Sequence, residues 1–168
     1  MLRALTALAT VATVARESLT DMLASLDALE EQPPDGAEHP RLEALEHLID
    51  MAGLAGLRVD LSIDGKPTPL HPDIELAAYR VVQEALTNVI KHAPGARTKV
   101  VIRYGADRLE LDVTNNLPPA GRHSAAHPEG GRGLVGMRDR VVACQGSVEW
   151  GLEDGDEFAV RAQLPART

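Results

Sequence analysis

Between Tyr79 and His92 the chain reads Tyr-Arg-Val-Val-Gln-Glu-Ala-Leu-Thr-Asn-Val-Ile-Lys-His. Wound as a helix at about 100° per residue, this segment gathers Glu84, Asn88, Lys91 and His92 on one arc and Ala78, Val82, Ala85, Leu86 and Val89 on the adjoining one. A carboxylate, an amide, an ammonium and an imidazole then border a core-facing surface. Carboxylate and amide oxygens suit Mg²⁺, and a lysine offers a point charge to phosphate, so such a stripe can hold a magnesium-bound polyphosphate. The same spacing also fits a solvated helix face carrying an i, i+7 charge pair, and spacing alone leaves both readings open.

A second cluster is Gly130-Gly131-Arg132-Gly133-Leu134-Val135-Gly136-Met137, placed just before a helix predicted from about Leu134 to Cys144. Glycines let backbone N–H groups approach phosphate closely, and a helix N-terminus adds favourable partial charge. A Gly-x-Gly is weak evidence alone. Here it follows a long loop, expected from Asn115 to Gly131, that is rich in Pro, Gly, Ala and His and lacks apolar periodicity.

The elements that must position these residues follow from patterning. Pro72, followed by Asp73 and Glu75, starts a helix that runs to His92 and stops before Pro94-Gly95. An earlier helix is expected from about Pro40 to Ala52, with Gly53 and Gly56 as stop signals. Val59, Leu61 and Ile63 alternate with polar residues as a half-buried strand. Strands near Lys99–Tyr104 and Leu109–Val113 should pair as a hairpin, and strands near Ser147–Trp150 and Phe158–Leu164 close the domain. Because the strands come largely in hairpins, the expected class is an α/β two-layer sandwich: a mixed, mostly antiparallel sheet with helices on one face.

The expected organisation is an N-terminal helix over residues 1–32, a linker over 33–39 and a compact domain over 40–168. In the first segment Leu5, Leu8, Ala12, Ala15, Leu19, Met22, Leu26 and Leu29 recur at steps of three and four, the seam of a helix that packs lengthwise on another. An ordinary amphipathic helix folded back on its own domain fits as well.

A formal charge of −8, from 17 basic against 25 acidic residues, with no Lys/Arg-rich run, argues against a nucleic-acid partner. The single cysteine, Cys144, excludes an internal disulfide framework and a cysteine-based zinc site. It suits a reducing cytoplasm, and is expected to be a small buried side chain. No stretch approaches the roughly 18 apolar residues of a membrane span, so no membrane contact is expected of this segment.

At this point the residues resemble a family. Tyr79 to Ala93 looks like the asparagine box of sensor histidine kinases of the subfamily that pairs with LuxR-type response regulators. Gly131-Arg-Gly-Leu-Val-Gly-Met-Arg-Asp-Arg140 resembles its second glycine box, and Gly155 to Pro165 is similar to its final strand. Order and separations agree, over about Arg16 to Pro165. The resemblance implies the Bergerat (GHKL) ATP-binding sandwich shared with gyrase, heat-shock chaperones and mismatch-repair ATPases. It implies ATP and Mg²⁺ as ligands, Asn88 as the metal ligand, Glu84 as the acid that orients or deprotonates near the γ-phosphate, and Lys91 and His92 as phosphate contacts. Gly131, Gly133, Leu134 and Gly136, with Met137 beside them, would frame the phosphates, under the preceding loop as lid. The seam at residues 5–29 would correspond to the second helix of the family's dimerisation bundle, and so could support a homodimer.

Two departures bear on what the resemblance implies. The family's adenine-reading Asp stands here as Asn115, and the glycine after it as Leu117. Asn still offers an acceptor oxygen, without charge. None of His39, His47, His71, His92, His123 and His127 is followed by the acid that the family places after its phosphoacceptor. The expected function is therefore the ATP-binding catalytic module of a sensor histidine kinase, cytoplasmic, transferring the γ-phosphoryl to a histidine outside this chain. Its expected partners are the kinase's histidine-bearing dimerisation helix and a LuxR-type response regulator. The competing reading is a degenerate, non-catalytic domain that acts as a dimerising regulatory partner. An anti-sigma-factor-type serine kinase shares the fold but needs no N-terminal seam.

Overall fold

The structure is a computed structural model and describes residues 41–117, 132–153 and 156–166. The seam at residues 5–29, the linker and most of the predicted lid lie outside the described residues. A short 3-10 turn, Leu42–Ala44, leads into α1, Leu45–Leu54. Leu45, Leu48 and Ala52 recur at helical spacing and are buried. Gly53 lies inside α1; the stop comes at Gly56, whose φ of +95° is a left-handed conformation that glycine adopts without steric cost.

Strand β1, Arg58–Asp64, is followed by α2, Pro72–His92, with the bounds that the sequence predicts. Pro72 occupies the first turn, Asp73 and Glu75 face the positive end of the dipole, and Lys91 and His92 close the last turn. His71 caps the start, its Nδ1 accepting from the Asp73 N–H at 3.3 Å. Strands β2, Arg97–Tyr104, and β3, Arg108–Asn116, form the expected hairpin. Helix α3 covers Arg132–Ala143, and β4, Ser147–Glu153, pairs with β5, Glu157–Pro165.

The five strands lie in the order β1-β2-β3-β5-β4, with β1 and β2 parallel and the other neighbours antiparallel. The parallel pair needs a crossover connection, and α2 supplies it. Alternation then sorts the side chains by face. Val100, Ile102, Leu109, Leu111, Val113, Val160, Ala162 and Leu164 form the buried sheet face. Ile74, Ala77, Ala78, Val81, Val82, Ala85, Leu86, Val89, Met137 and Val141 of α2 and α3 complete the core.

The opposite face is largely polar. Asp64 meets Arg103 at 3.6 Å across the β1/β2 ladder. Arg161 on β5 meets Asp112 on β3 at 3.3 Å and is clamped by both Glu153 oxygens, one of them at 2.8 Å. These bonds, to Glu153 first and then Asp112, raise the pKa of the guanidinium further.

The structure corrects three expectations. Asn115 and Asn116 belong to β3 and do not open a loop; backbone pairing with Phe158 and Glu157 of β5 carries the strand past the end of its apolar alternation. Helix α3 begins at Arg132, two residues before the expected start, so Gly133 is helical along with Leu134, Gly136 and Met137, as packing of α3 on α2 outweighs the low helix propensity of glycine. Cys144 is half-buried and follows the helix end, its Sγ 3.6 Å from the Asp73 carbonyl oxygen.

Candidate functional site

The stripe on α2 lies where the arc places it. Toward the core, Ala78, Val82, Ala85, Leu86 and Val89 are buried; along the border, Glu84 and Asn88 are half-buried; Lys91 and His92 are exposed in the last turn. The Asn88 amide nitrogen is buried with no hydrogen-bond partner in the structure. Such an orphan is rare in a folded interior.

Glu84 and Gly133 meet. A Cβ added to Gly133 would land on the Glu84 carboxylate, overlapping Oε1 and lying 2.9 Å from Oε2. The first turn of α3 thus approaches the stripe as closely as a residue without a side chain permits. Gly133 of α3 and Glu84 of the α2 stripe face one another, and Glu84 stands against a helix start whose free N–H groups favour an anion. Gly136 is half-buried in α3, with an added Cβ 3.5 Å from Arg140, and Leu134 is half-buried as well. The Met137 side chain is 1% exposed and fills the core beneath α3. Gly131 lies outside the described residues.

The far end of the site is the last pair of the β2/β3 hairpin. β2 leaves directly from the end of α2, so Thr98 and its partner in register, Asn115, share the end of the sandwich that holds Asn88. Both are buried on the helix-facing side, in step with Val100 and Val113. The Asn115 Nδ2 donates to the Asn116 carbonyl oxygen at 3.1 Å, which leaves Oδ1 as its acceptor. Leu117 follows, its N–H donating to the Asp156 carbonyl at 2.8 Å. Sequence reasoning did not single out Thr98, which lies on a strand with nothing to separate it from ordinary β-branched filling. It also missed the buried Arg80, which donates to Gln83 at 2.7 Å; an i, i+3 Arg/Gln pair was the available signal.

Residues 73–168 match the model of the histidine kinase-, DNA gyrase B-, and HSP90-like ATPases, more than half of the chain. The chain belongs to this family. Its domain is an ATP-binding module of the kinase type, and the two-layer architecture agrees with that of solved histidine kinases. Among curated relatives, the signal transduction histidine-protein kinase/phosphatase DegS of Brevibacillus brevis is 30% identical over 113 residues, which is 67% of this chain and 29% of that protein. The sensor histidine kinase YxjM of Bacillus subtilis is 28% identical over 136 residues, 76% of this chain and 32% of that one. The chain therefore spans about a third of the length of these relatives. The Acinetobacter baumannii histidine kinase AdeS shares the fold, with a TM-score of 0.57 at 15% identity, over 91% of this chain and 76% of that one. Among the described residues no helix is long and apolar enough to cross a membrane.

The donor set fits a magnesium nucleotide. Asn88 and Glu84 are oxygen donors one helical turn apart, and Mg²⁺ is commonly held by one or two protein groups while phosphate oxygens and water complete its shell. The missing side chain at Gly133 admits the Glu84 carboxylate to the α3 start.

Proposed function

We propose that the chain is the catalytic module of a two-component sensor histidine kinase and transfers the γ-phosphoryl of ATP to a histidine on a dimerisation helix outside this chain. The contact between Glu84 and Gly133 supports the reading best, because an acid on α2 lies against the glycine start of α3.

In this reading Asn88 holds Mg²⁺ through its amide oxygen, and Lys91 and His92 reach phosphate oxygens. Gly131, Gly133, Leu134 and Gly136 frame the phosphates through their backbone, and Asn115 reads adenine through Oδ1. Met137 sits under this frame as core packing. Bound magnesium would neutralise charge on the β- and γ-phosphates. The incoming imidazole nitrogen attacks the γ-phosphorus, the bond from that phosphorus to the bridging oxygen breaks, ADP leaves, and the imidazole proton passes to solvent or to Glu84. Little covalent chemistry is asked of the protein beyond positioning and charge stabilisation. The asparagine-box resemblance and the DegS relative support a LuxR-type response regulator as downstream partner, and a cytoplasmic location follows from that role.

The test is a calorimetric titration of the purified chain with Mg·ATP, with Asn88→Ala as control. The wild-type chain should bind and the variant should lose most of its affinity. Equal binding by both, or binding by neither, sinks the kinase reading and leaves the non-catalytic regulatory one.

A further inference from the structure

The outer face of the sheet, away from the helices, holds two placements that a sheet on its own does not favour. Thr98, Val100 and Val160 turn inward, so alternation sends Arg97, Lys99, Glu157, Ala159 and Arg161 outward. Beside them in register, Arg58 stands directly opposite Arg97, and Glu153 directly opposite Glu157. Like charges set opposite one another weaken a sheet. Among the described residues Arg58, Arg97 and Lys99 have no ion-pair partner, and Glu157 meets only the Asn116 amide, at 3.5 Å.

The basic pair and the acidic pair are placed symmetrically. In the order β1-β2-β3-β5-β4, each occupies the two strands on one side of β3. Both lie at the same end of the sheet, Arg97 one step beyond the Thr98–Asn115 pair and Glu157 opposite Asn116. A two-fold axis along β3 therefore lays the basic pair of one copy over the acidic pair of another, at both sides of the axis. A twisted sheet keeps its hand under that rotation, so the two faces follow one another.

The same rotation carries Lys99 over Ala159, whose neighbour in register is Gly151. A hollow of about 250 Å³ opens there, with Glu149, Gly151, Glu153, Ala159 and Arg161 in its lining. Small residues form its floor: Ala159 is buried, and a Cβ added to Gly151 would meet nothing within 4 Å. Glu149 and Glu153 form acidic walls suited to an ammonium.

We propose that the outer sheet face is a contact surface for a second copy of this chain, related by a two-fold axis along β3. Arg58 and Arg97 of each copy lie on Glu153 and Glu157 of the other, and Lys99 enters the other copy's acid-walled hollow. Along the axis β3 meets itself: Asp112 is already paired with Arg161, whereas Glu110 sets like charge against like. Five strands about 4.8 Å apart also give a face only about 20 Å across, small for a stable dimer, so the contact forms where copies are concentrated. The helix layers stay outward, and the α2 stripe of neither copy is covered. The surface stands or falls apart from the nucleotide reading.

The experiment unfolds unlabelled and ¹⁵N-labelled full-length chains, refolds them together, and treats them with a carbodiimide, which joins an amine to a carboxylate without a spacer. Mass spectrometry of mixed-isotope peptides then reports links between copies. Lys99 should join Glu149 or Glu153 of the other copy; within one copy β2 and β4 are about 14 Å apart, too far for such a link. Arg97→Glu alone and Glu157→Arg alone should each lower the yield at least about fivefold, because each turns two attractions into repulsions. Mixed with one another, the two variants regain opposite charges at both sides of the axis, and the yield should return. In wild type the yield should also fall as salt rises from roughly 20 mM to roughly 0.5 M. Absence of the Lys99 link in wild type, a link indifferent to salt, or a link kept by both variants overturns the proposal. So does a mixture of the two variants, each melting like wild type, that fails to regain the link. Where a variant does not fold, the salt series on wild type decides.

Discussion

Replacing Gly133 with alanine separates what this position does for the helix from what it does for the site. Inside a helix alanine is favoured over glycine by roughly 0.5–1 kcal/mol, and somewhat less in a first turn. Against that gain, the new methyl lands on the Glu84 carboxylate, whose Oε2 lies 2.9 Å from its position. The colliding atoms are the far end of a flexible side chain, so relief needs only a rotation of Glu84, at a cost of about 0.5–1.5 kcal/mol. The two effects nearly cancel. Unfolding should therefore shift by no more than a few degrees, as about 1 kcal/mol moves a domain of this size by roughly 2–4 °C. Function should respond differently. A carboxylate pushed aside by about 1 Å costs on the order of a hundredfold in a reaction that depends on placement. The assay transfers labelled γ-phosphate to a supplied histidine-bearing dimerisation segment, beside a thermal scan of the same preparation. Wild-type transfer rates in Gly133→Ala would refute the claim that the close approach matters. Loss of more than about ten degrees would refute the claim that only a side chain has to yield.

At Gly146 the outcome should invert, because an added Cβ meets the Gln163 backbone oxygen at 2.5 Å and Leu164 and Val141 at 2.9 Å, and backbone cannot swing away. Gly146→Ala should cost about 1–3 kcal/mol in urea unfolding without changing the ATP affinity of the folded fraction. Burial, reinforced by Glu75 and Glu43 at Tyr104 and by Asp73 at Cys144, raises both pKa values, so the folded chain retains protons that the unfolded chain gives up first. Their contribution to stability is complete below the ordinary thiol and phenol values of about 8.5 and 10 and is lost as pH climbs above them. A urea midpoint that stays level from pH 7.5 to 10.5 in wild type, or falls equally in a Tyr104→Phe, Cys144→Ala double variant, would contradict this. Arg161 is 41% exposed despite its two acidic neighbours, so Arg161→Met should cost less than about 1 kcal/mol, and a loss of several would show that the outer face contributes more than solvent-screened pairs allow.

Helix α2 was legible to the residue, because every device that starts and stops a helix is present: Pro72, the two acids after it, the basic last turn and Pro94-Gly95 beyond. The β2/β3 hairpin was equally plain from its alternation. The strand order was not, since which strands become neighbours depends on how α2 crosses the sheet, and no local pattern records that. Asn115 and Asn116 looked like a loop because their side chains break the alternation, whereas backbone bonds to β5 are indifferent to side-chain type. The start of α3 was displaced for a related reason: glycine weakens a helix judged by propensity, but here it is what allows α3 to reach Glu84. The stripe on α2 could be read as a site or as a wet surface, and what the structure adds is the contact of Glu84 with Gly133 of α3. Thr98 left no trace in the sequence, because only burial distinguishes its hydroxyl from any other on a strand.

Among the described residues the sheet ends in two margins, β1 and β4, each a row of backbone groups that a foreign strand could extend. The β4 margin is guarded. Glu149 and Glu153 stud it, so a second copy laid along it would set acid against acid. Self-association through that margin is thereby penalised, and the domain can be crowded without zipping into a continuous sheet.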